Sequence, residues 1–275
     1  KLDKLFGGDW SGVSVITYQP IPDVRRMAEL RPIEKLIYVT VHDFSVFEGV
    51  SKEVLEEEKR LIDFSDFAVS DSKEISRKIL GVEDRDWLAP ACPESIIQKS
   101  KNIEVNFNDQ QLKRFIYFGT IASYLDLEVI SSLVRDGKHI TLMGKIYDLT
   151  FSYIEEEVGA TYLEPADFED AEPVFREYDA IILPYKVSLR NESIIPAKVY
   201  ESLSLGVPVF APFMKWNESQ GLNECLYLYG DKDDLLSQIE GFSKDSFQRK
   251  RRAGIDLAEK NTWEQRFDDF FRKVE

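Results

Sequence analysis

The segment from Pro196 to Phe210 carries the residue types and spacing best suited to chemistry. Lys198 and Glu201 stand three residues apart, so a helix would place this cation and carboxylate on one face. Proline favours the first helical turn and glycine favours the position just past a helix end, which predicts a helix from Pro196 that ends at Gly206. Free amides at a helix N-terminus attract phosphate, and a carboxylate can accept both hydroxyls of a ribose. The segment therefore predicts a nucleotide site, with an ordinary αβ unit as the alternative.

The elements that must position this segment alternate between short apolar runs and helical patterns. This order predicts right-handed crossovers and an α/β fold with doubly wound parallel sheets. The predicted strands are Val13–Tyr18, Lys35–Val41, Phe67–Ser70, Trp87–Pro90, Arg114–Phe118, His139–Met143, Thr161–Leu163, Ala180–Leu183, Val207–Phe210 and Leu226–Tyr229. The predicted helices cover residues 23–29, 51–62, 72–80, 126–135, 149–157, 170–177, 196–205, 231–242, 246–261 and 262–274.

The length and the pattern predict two domains. Residues 92–113 are polar and weakly patterned, as an interdomain connection would be. We expect a short Rossmann-like domain over residues 1–107, a complete one over residues 108–258, and a C-terminal helix within residues 259–275. About four strands precede the connection.

Composition narrows the class of function. The net charge of −15 argues against a nucleic-acid partner, because a phosphate backbone is bound by a basic surface. No apolar run approaches the roughly 18 residues of a membrane span, and no secretory signal is evident. The two cysteines, far apart, form no disulfide framework, which fits a cytoplasmic location. The first residue is Lys1 rather than Met, which is typical of a fragment or a processed chain.

Ligands of a doubly wound sheet bind beyond the C-terminal ends of its strands, which selects four loops. Gly119-Thr120 would let a phosphate or sugar approach the backbone, or it is a simple turn. Lys145, after Gly144, could reach a diphosphate, or it is a surface lysine. The loop 185–195 joins directly to the Glu201 helix. His42-Asp43 offers a hydrogen-bond donor and a general base, with a strand-end core histidine as the alternative.

The 196–210 segment also resembles the nucleotide-sugar site of GT-B glycosyltransferases. It fills every fixed position of their pattern Pro-x-Lys-x-x-Glu-x-x-x-x-Gly-x-Pro-Val. Leu142-Met-Gly-Lys145 and Tyr38-Val-Thr-Val-His-Asp43 are similar to further phrases of family four, the bacterial cell-surface polysaccharide type. The resemblance implies two Rossmann-like domains facing a cleft, with a truncated or compact N-terminal one, and a last helix that crosses back to it.

The same resemblance implies a hexosyltransferase that moves a sugar from a nucleotide-diphosphate donor to a glycan or lipid-linked acceptor. Neither a metal nor a further cofactor is expected. Asp43 would be the base, and His42 would bind the donor sugar. Glu201 would bind the ribose. The other donor-binding residues would be Lys198, Gly119, Thr120, Gly144, Lys145, Asn191, Glu192, Ser193, Ile194 and Ile195.

One departure from the family pattern concerns the first of its two glutamates. The family spacing puts that role on Ser193, whereas the glutamate here is Glu192, one place early. Either the loop is longer by one residue with Glu192 in the role, or Asn191 and Ser193 hold the sugar. The departure keeps two other functions open: a non-catalytic nucleotide-sugar binder or regulatory partner of a transferase, and a sugar-nucleotide epimerase of the same fold.

Three further features have structural interpretations. Asp84-Arg-Asp86 reads as a polar turn rather than a metal site. Ser72 is expected to cap a helix, and a sugar or phosphate contact from Ser70 or Ser72 is the alternative. The basic run Arg249–Arg252 reads as a solvated helix face, with a peripheral contact to the inner face of a membrane as the alternative. The oligomeric state is left open.

Overall fold

The structure, a computed structural model, describes residues 7–47, 49–81, 88–102, 112–149, 153–192 and 194–274. By its internal contacts the chain falls into two compact units. The first unit comprises Lys1–Ala89, Ser193–Ile195 and Phe270–Glu275, and the second comprises Pro90–Glu192 and Pro196–Asp269.

The first unit is built on a parallel sheet of three strands in the order β1-β2-β3. These are β1 (Ser14–Thr17), β2 (Lys35–Thr40) and β3 (Phe67–Ser70). Helices Pro22–Leu30 and Lys52–Phe64 make the two crossovers. A short helix, Lys73–Ile75, then continues as a π-helical segment, Ser76–Leu80.

The alternation of side chains along β2 gives this unit a core on each face of its sheet. Leu36 and Tyr38 pack with Leu61 on one face. The other face packs against the end of the last helix of the chain. Its buried residues are Ile37, Val39, Val69, Phe270 and Val274.

Two predictions about the first half of the chain are wrong. Residues 88–90 are not a strand, although Leu88 donates a backbone hydrogen bond to Ser70 (2.5 Å); Trp87 lies outside the described residues. The predicted connection contains the helix Glu94–Lys101, which buries Ile96, Ile97 and Ser100. Most residues of this helix are polar, so the sequence alone did not indicate that one of its faces is buried.

The second unit carries a parallel sheet of six strands in the order β6-β5-β4-β7-β8-β9. Its strands are β4 (Arg114–Phe118), β5 (His139–Met143), β6 (Thr161–Leu163), β7 (Ala180–Ile182), β8 (Val209–Pro212) and β9 (Tyr227–Tyr229). The chain winds outward from β4 in one direction and then from β7 in the other. This is the doubly wound order, so the predicted α/β class with parallel sheets is confirmed.

The predicted helices of this unit recur with shifted ends, and two short helices, Leu189–Glu192 and Lys215–Ser219, were not predicted. The α-helices are Glu94–Lys101, Leu127–Arg135, Phe168–Phe175, Leu189–Glu192, Ala197–Ser204, Lys215–Ser219, Lys232–Glu240, Lys244–Glu259 and Trp263–Val274, the last of which belongs to the first unit from Phe270 onward. The predicted helix 149–157 is a π-helical segment, Tyr153–Val158, and residues 150–152 lie outside the described part. The strand predicted at 207–210 begins only at Val209, because Pro208 precedes the ladder and offers its carbonyl to Ile181 (2.8 Å).

The basic run on helix Lys244–Glu259 is only partly a solvated face. Lys250 donates to the carbonyls of Asn223 (3.1 Å) and Leu226 (2.7 Å). Arg251 donates to the carbonyl of Gly206 (3.1 Å), just past the end of the Glu201 helix. Two of the four cations therefore anchor backbone carbonyls. Among the described helices, none has the length and apolarity to cross a membrane.

Candidate functional site

The sheet of the second unit changes winding direction between β4 and β7. The loops that follow these two strands are joined by backbone hydrogen bonds from Asp126 to Pro184 (2.6 Å) and from Lys186 to Tyr124 (3.0 Å). Doubly wound sheets bind ligands at such a switch point, beyond the C-terminal ends of the strands. Two of the four loops selected from the sequence, those after β4 and β7, meet there.

Gly119 and Gly144 form the floor of this region, with their backbones in close contact. Gly119 donates a hydrogen bond to the carbonyl of Met143 (2.9 Å). A β-carbon on Gly144 would lie 1.8 Å from the carbonyl oxygen of Gly119, and both glycines have positive φ angles. The predicted loops after β4 and β5 therefore depend on glycine for conformation and for space.

Lys198 lies directly over Gly119. A β-carbon on Gly119 would lie 2.7 Å from Cε of Lys198. The ammonium group is 3.6 Å from the Glu201 carboxylate, an i,i+3 pair on the helix Ala197–Ser204. The structure thus brings together Gly119, Gly144, Lys198 and Glu201, which are far apart in sequence except for the last two.

The electrostatics of Glu201 differ from those of a surface carboxylate. Only 16% of its side chain is exposed, against 31% for Lys198. Burial raises the pKa of Glu201, and the charge and hydrogen bond of Lys198 act in the opposite direction. The pair presents a hydrogen-bond acceptor and a cation at the start of a helix whose first amides point toward the same end. Such a group can bind hydroxyls and phosphate together.

Three tyrosines that sequence analysis missed support the Gly119-Thr120 loop. The hydroxyls of Tyr117 and Tyr124 both donate to the carbonyl of Thr120, at 2.9 Å and 2.5 Å. Tyr185 stacks against Tyr124 and meets the edge of Tyr117, with ring centroids 6.1 and 6.3 Å apart. The sequence did show that Tyr117 lies near the end of β4 and that Tyr185 follows β7. Nothing in the sequence showed that their rings converge.

The remaining donor-side candidates have varied positions. Lys145 is exposed, and its carbonyl accepts from Ile121 (2.9 Å). The Asn191 amide group donates to the carbonyls of Lys186 (2.8 Å) and Tyr124 (3.2 Å), so it holds the loop. Glu192 pairs with Lys215 at 3.2 Å.

Ser193, Ile194 and Ile195 follow Glu192 and precede Pro196, the cap of the Glu201 helix. Ile195 is buried and Ile194 is partly buried. Ser193 lies outside the described residues. The question of which residue takes the role of the family's first glutamate therefore stays a prediction.

The loop His42-Asp43 follows β2 of the first unit. Asp43 is 1% exposed, and its carboxylate accepts from the amide (3.0 Å) and hydroxyl (2.5 Å) of Ser45 and pairs with Lys78. Burial would raise the pKa of Asp43, but the contacts from Lys78 and Ser45 outweigh it and lower that pKa. The His42 ring packs against Phe44 and Phe47, with centroids 5.9 and 5.2 Å away. A carboxylate with a lowered pKa and these partners is a weak base. The catalytic roles of His42 and Asp43 stay predictions.

Within the described residues, no three His, Cys, Asp or Glu side chains form a group that could hold a metal ion. The Asp84-Arg-Asp86 phrase lies outside the described residues.

Comparison with known proteins gives a likeness of structure alone. No family model matches the chain, and no curated protein matches its sequence. Sucrose-phosphate synthase from Thermosynechococcus elongatus is a structural neighbour with a TM-score of 0.68 at 12% identity, over 98% of this chain and 76% of that one. A glycosyltransferase from Rickettsia africae ESF-5 has a TM-score of 0.69 at 11% identity, over 99% and 78%.

A third neighbour was solved with ligands. Anabaena HepE, in complex with UDP and glucose, has a TM-score of 0.65 at 13% identity, over 92% of this chain and 74% of that one. These neighbours are GT-B glycosyltransferases. The chain therefore has the α/β fold with parallel sheets that these glycosyltransferases share.

Proposed function

We propose that this protein is a glycosyltransferase whose second unit binds a nucleotide-diphosphate sugar. The observation that carries the proposal is the Lys198–Glu201 pair at the switch point of a doubly wound sheet, where Lys198 lies over Gly119 and the backbone of Gly119 packs against Gly144. The complexes of structural neighbours with UDP support the choice of ligand.

Each group has a distinct task in the proposed site. Glu201 accepts hydrogen bonds from the ribose hydroxyls. The amides at the start of the helix Ala197–Ser204, together with Lys198, bind the diphosphate. Gly119 and Gly144 let the phosphates approach the main chain, because a side chain at either position would fill the space.

The proposed reaction is a substitution at the anomeric carbon of the donor sugar. The oxygen of an acceptor hydroxyl forms the new glycosidic bond, and its proton passes to the departing phosphate oxygen. The bond from the anomeric carbon to that phosphate oxygen breaks, and the nucleoside diphosphate leaves with the electron pair. Lys198 and the helix amides stabilise the negative charge that develops on this leaving group. A hexosyl donor, a glycan or lipid-linked acceptor and independence from metal are further parts of the proposal.

The test is a thermal-shift screen of the wild type against UDP-, GDP-, ADP- and CMP-sugars. A ligand that binds only the folded state raises the melting temperature. We expect one nucleotide class to raise it in the wild type but not in Glu201→Gln. The variant Glu240→Gln, at an exposed position of the same unit, is the matched control. Equal shifts in all three proteins would contradict the role of Glu201.

A non-catalytic nucleotide-sugar binder is the second candidate, and one observation favours it. Asp43, the predicted base, is bound by Lys78 and Ser45 rather than free to take a proton. The two functions separate in an assay of nucleoside diphosphate release from the donor found in the screen. A binder stabilised by that donor releases none, whereas a transferase releases it in step with the acceptor.

The location of the protein is also part of the proposal. The buried, unpaired cysteines Cys92 and Cys225 fit a reducing cytoplasm. A peripheral membrane contact through the basic run would fall to Arg249 and Arg252, which are exposed, rather than to Lys250 and Arg251.

A further inference from the structure

Two carboxyl groups stand at the C-terminal edge of the sheet in the first unit. Asp43 follows the end of β2, and Asp71 directly follows β3. Parallel sheets with helical crossovers bind ligands at this edge. The carboxylate of Asp43 already has the contacts described above. The two carboxyl groups therefore differ in whether their oxygens have hydrogen-bond partners.

Asp71 is buried but lacks the partners that Asp43 has. Its residue is 7% exposed, and its amide donates to the carbonyl of Thr40 at 3.2 Å. Its Oδ1 atom is fully buried and accepts no hydrogen bond within the described part of the chain. Glu74, three residues later, has a buried Oε2 atom that likewise accepts no hydrogen bond from the described residues. Native proteins rarely leave such oxygens unsatisfied, so each needs an explanation.

The serines on either side of Asp71 account for the local turn without it. The Ser70 hydroxyl donates to the carbonyl of Ser72 (2.8 Å), and the Ser72 hydroxyl accepts from the amide of Ile75 (3.2 Å). Ser72 is therefore the helix cap that the sequence predicts. Because these hydroxyls shape the turn, the Asp71 carboxyl is the group at this strand end that is left for a ligand.

The charge of the site restricts what that ligand can be. Burial raises the pKa of Asp71 well above its usual value. A hydrogen bond from the backbone amide of Asp71 itself acts in the opposite direction, and the nearby Glu74 carboxylate raises the pKa further. A carboxyl group in this setting favours a neutral partner that donates a hydrogen bond. An anionic group, such as a sugar phosphate, would be repelled by Glu74.

We propose that Asp71 binds a hydroxyl group of an uncharged, polyhydroxylated acceptor at the strand-end edge of the first unit. This assignment rests on the proposed function, and it names the acceptor class that the proposed function leaves open. The hydroxyl donates to Oδ1, and because that atom is fully buried, binding requires the Asp71 side chain to turn toward the edge of the sheet.

The first test compares the stability of Asp71→Asn with that of Asp63→Asn, an exposed control in the same unit. A carboxyl kept for a ligand is not needed for folding, so we expect Asp71→Asn to melt at or above the temperature of the wild type. A clear drop in melting temperature, absent from the control, would make Asp71 a structural residue and overturn the proposal. This arm needs no substrate and is independent of the proposed function.

The second test uses the nucleotide sugar that stabilises the wild type and measures nucleoside diphosphate release. The acceptor probes are octyl glucoside, octyl galactoside, octyl mannoside and octyl N-acetylglucosaminide, with glucose 6-phosphate as the anionic comparison. We expect transfer to at least one octyl glycoside, a tenfold or greater loss of kcat/KM for that acceptor in Asp71→Asn, and unchanged donor-induced stabilisation.

Three results of the second test would overturn the assignment: wild-type transfer by Asp71→Asn, preference for glucose 6-phosphate, or no transfer to any uncharged glycoside. Failure of every nucleotide sugar to stabilise the wild type would instead overturn the proposed function. The stability comparison would still decide the role of Asp71 in that case.

Discussion

A β-carbon on Gly144 would stand 1.8 Å from the carbonyl oxygen of Gly119, so the loops after β5 and β4 pack backbone against backbone. The φ angles of the two glycines are +148° and +127°, which side chains disfavour. The position that a ligand would approach is thus defined by two main-chain segments. A side chain on Gly144 must move one of them.

Gly144→Ala is expected to be severely destabilising. The substitution combines backbone strain with a clash that no flexible side chain can relieve, so we expect a loss of about 3 kcal/mol or more in the free energy of unfolding. Urea denaturation followed by circular dichroism measures it. Gly137→Ala is the control, because its φ of +81° gives backbone strain while no atom lies within 4 Å of the added β-carbon. Equal losses in the two variants would show that the contact with Gly119 is unimportant.

Gly119→Ala is expected to affect ligand binding more than stability. Its β-carbon would meet Cε of Lys198 at 2.7 Å, and the end of a lysine side chain can move. We therefore expect a stability loss of only about 1–3 kcal/mol from the positive φ, with an affinity for the stabilising nucleotide at least tenfold weaker. Isothermal titration calorimetry measures the affinity. Binding at wild-type strength would mean that Lys198 does not contact the phosphates.

Asp43→Asn tests whether this carboxylate is structural. The lowered pKa of Asp43 means that its stabilising contribution is present above its unfolded value of about 3.9 and is lost as the pH falls through its folded pKa. We expect the variant to be less stable than the wild type by about 1–3 kcal/mol at pH 7, and by less at pH 3. Urea midpoints at the two pH values measure the difference.

A matched variant addresses the other side of this pair. Lys78→Met removes the same ion pair, although the lysine side chain is 56% exposed and solvent screens it. The loss should nevertheless be at least as large as in Asp43→Asn, because the buried Asp43 carboxylate then keeps its charge without a cation. Full stability in Asp43→Asn together with abolished turnover would instead support Asp43 as the catalytic base.

Glu58→Gln is expected to change the pH dependence of stability in the opposite sense. Glu58 accepts hydrogen bonds from the hydroxyls of Tyr38 (2.8 Å) and Thr40 (3.2 Å). Burial raises its pKa, so its contribution to stability is complete below its unfolded value of about 4.3 and is lost as the pH rises through its folded pKa.

Glutamine can accept the same hydrogen bonds without a charge. We therefore expect the stability of Glu58→Gln relative to the wild type to increase between pH 4 and pH 8. Urea denaturation at both pH values measures it, with Glu56→Gln, at an exposed position on the same helix, as the control. A difference that is constant with pH would show that Glu58 has the same pKa in the folded and unfolded protein.

Local patterns in the sequence determined most of the secondary structure. Buried parallel strands such as Arg114–Phe118 are continuous apolar runs, and glycines such as Gly206, with a φ of +65°, mark where helices end. These features depend on neighbouring residues, so they can be predicted from a single chain. Helix Glu94–Lys101 was missed because its buried residues are few and its partners are distant in sequence.

The sequence by itself determined the α/β class and the helix that presents Lys198 and Glu201 on one face, because both follow from periodicity and punctuation. Only the tertiary structure placed Gly119 under Lys198 and gathered Tyr117, Tyr124 and Tyr185 around Thr120. It also gave the Asp43 carboxylate its partners and left Oδ1 of Asp71 without one among the described residues. The physical reason is that hydrogen bonding, burial and charge at a site are set by residues tens of positions apart. Their proximity is decided when the sheet assembles.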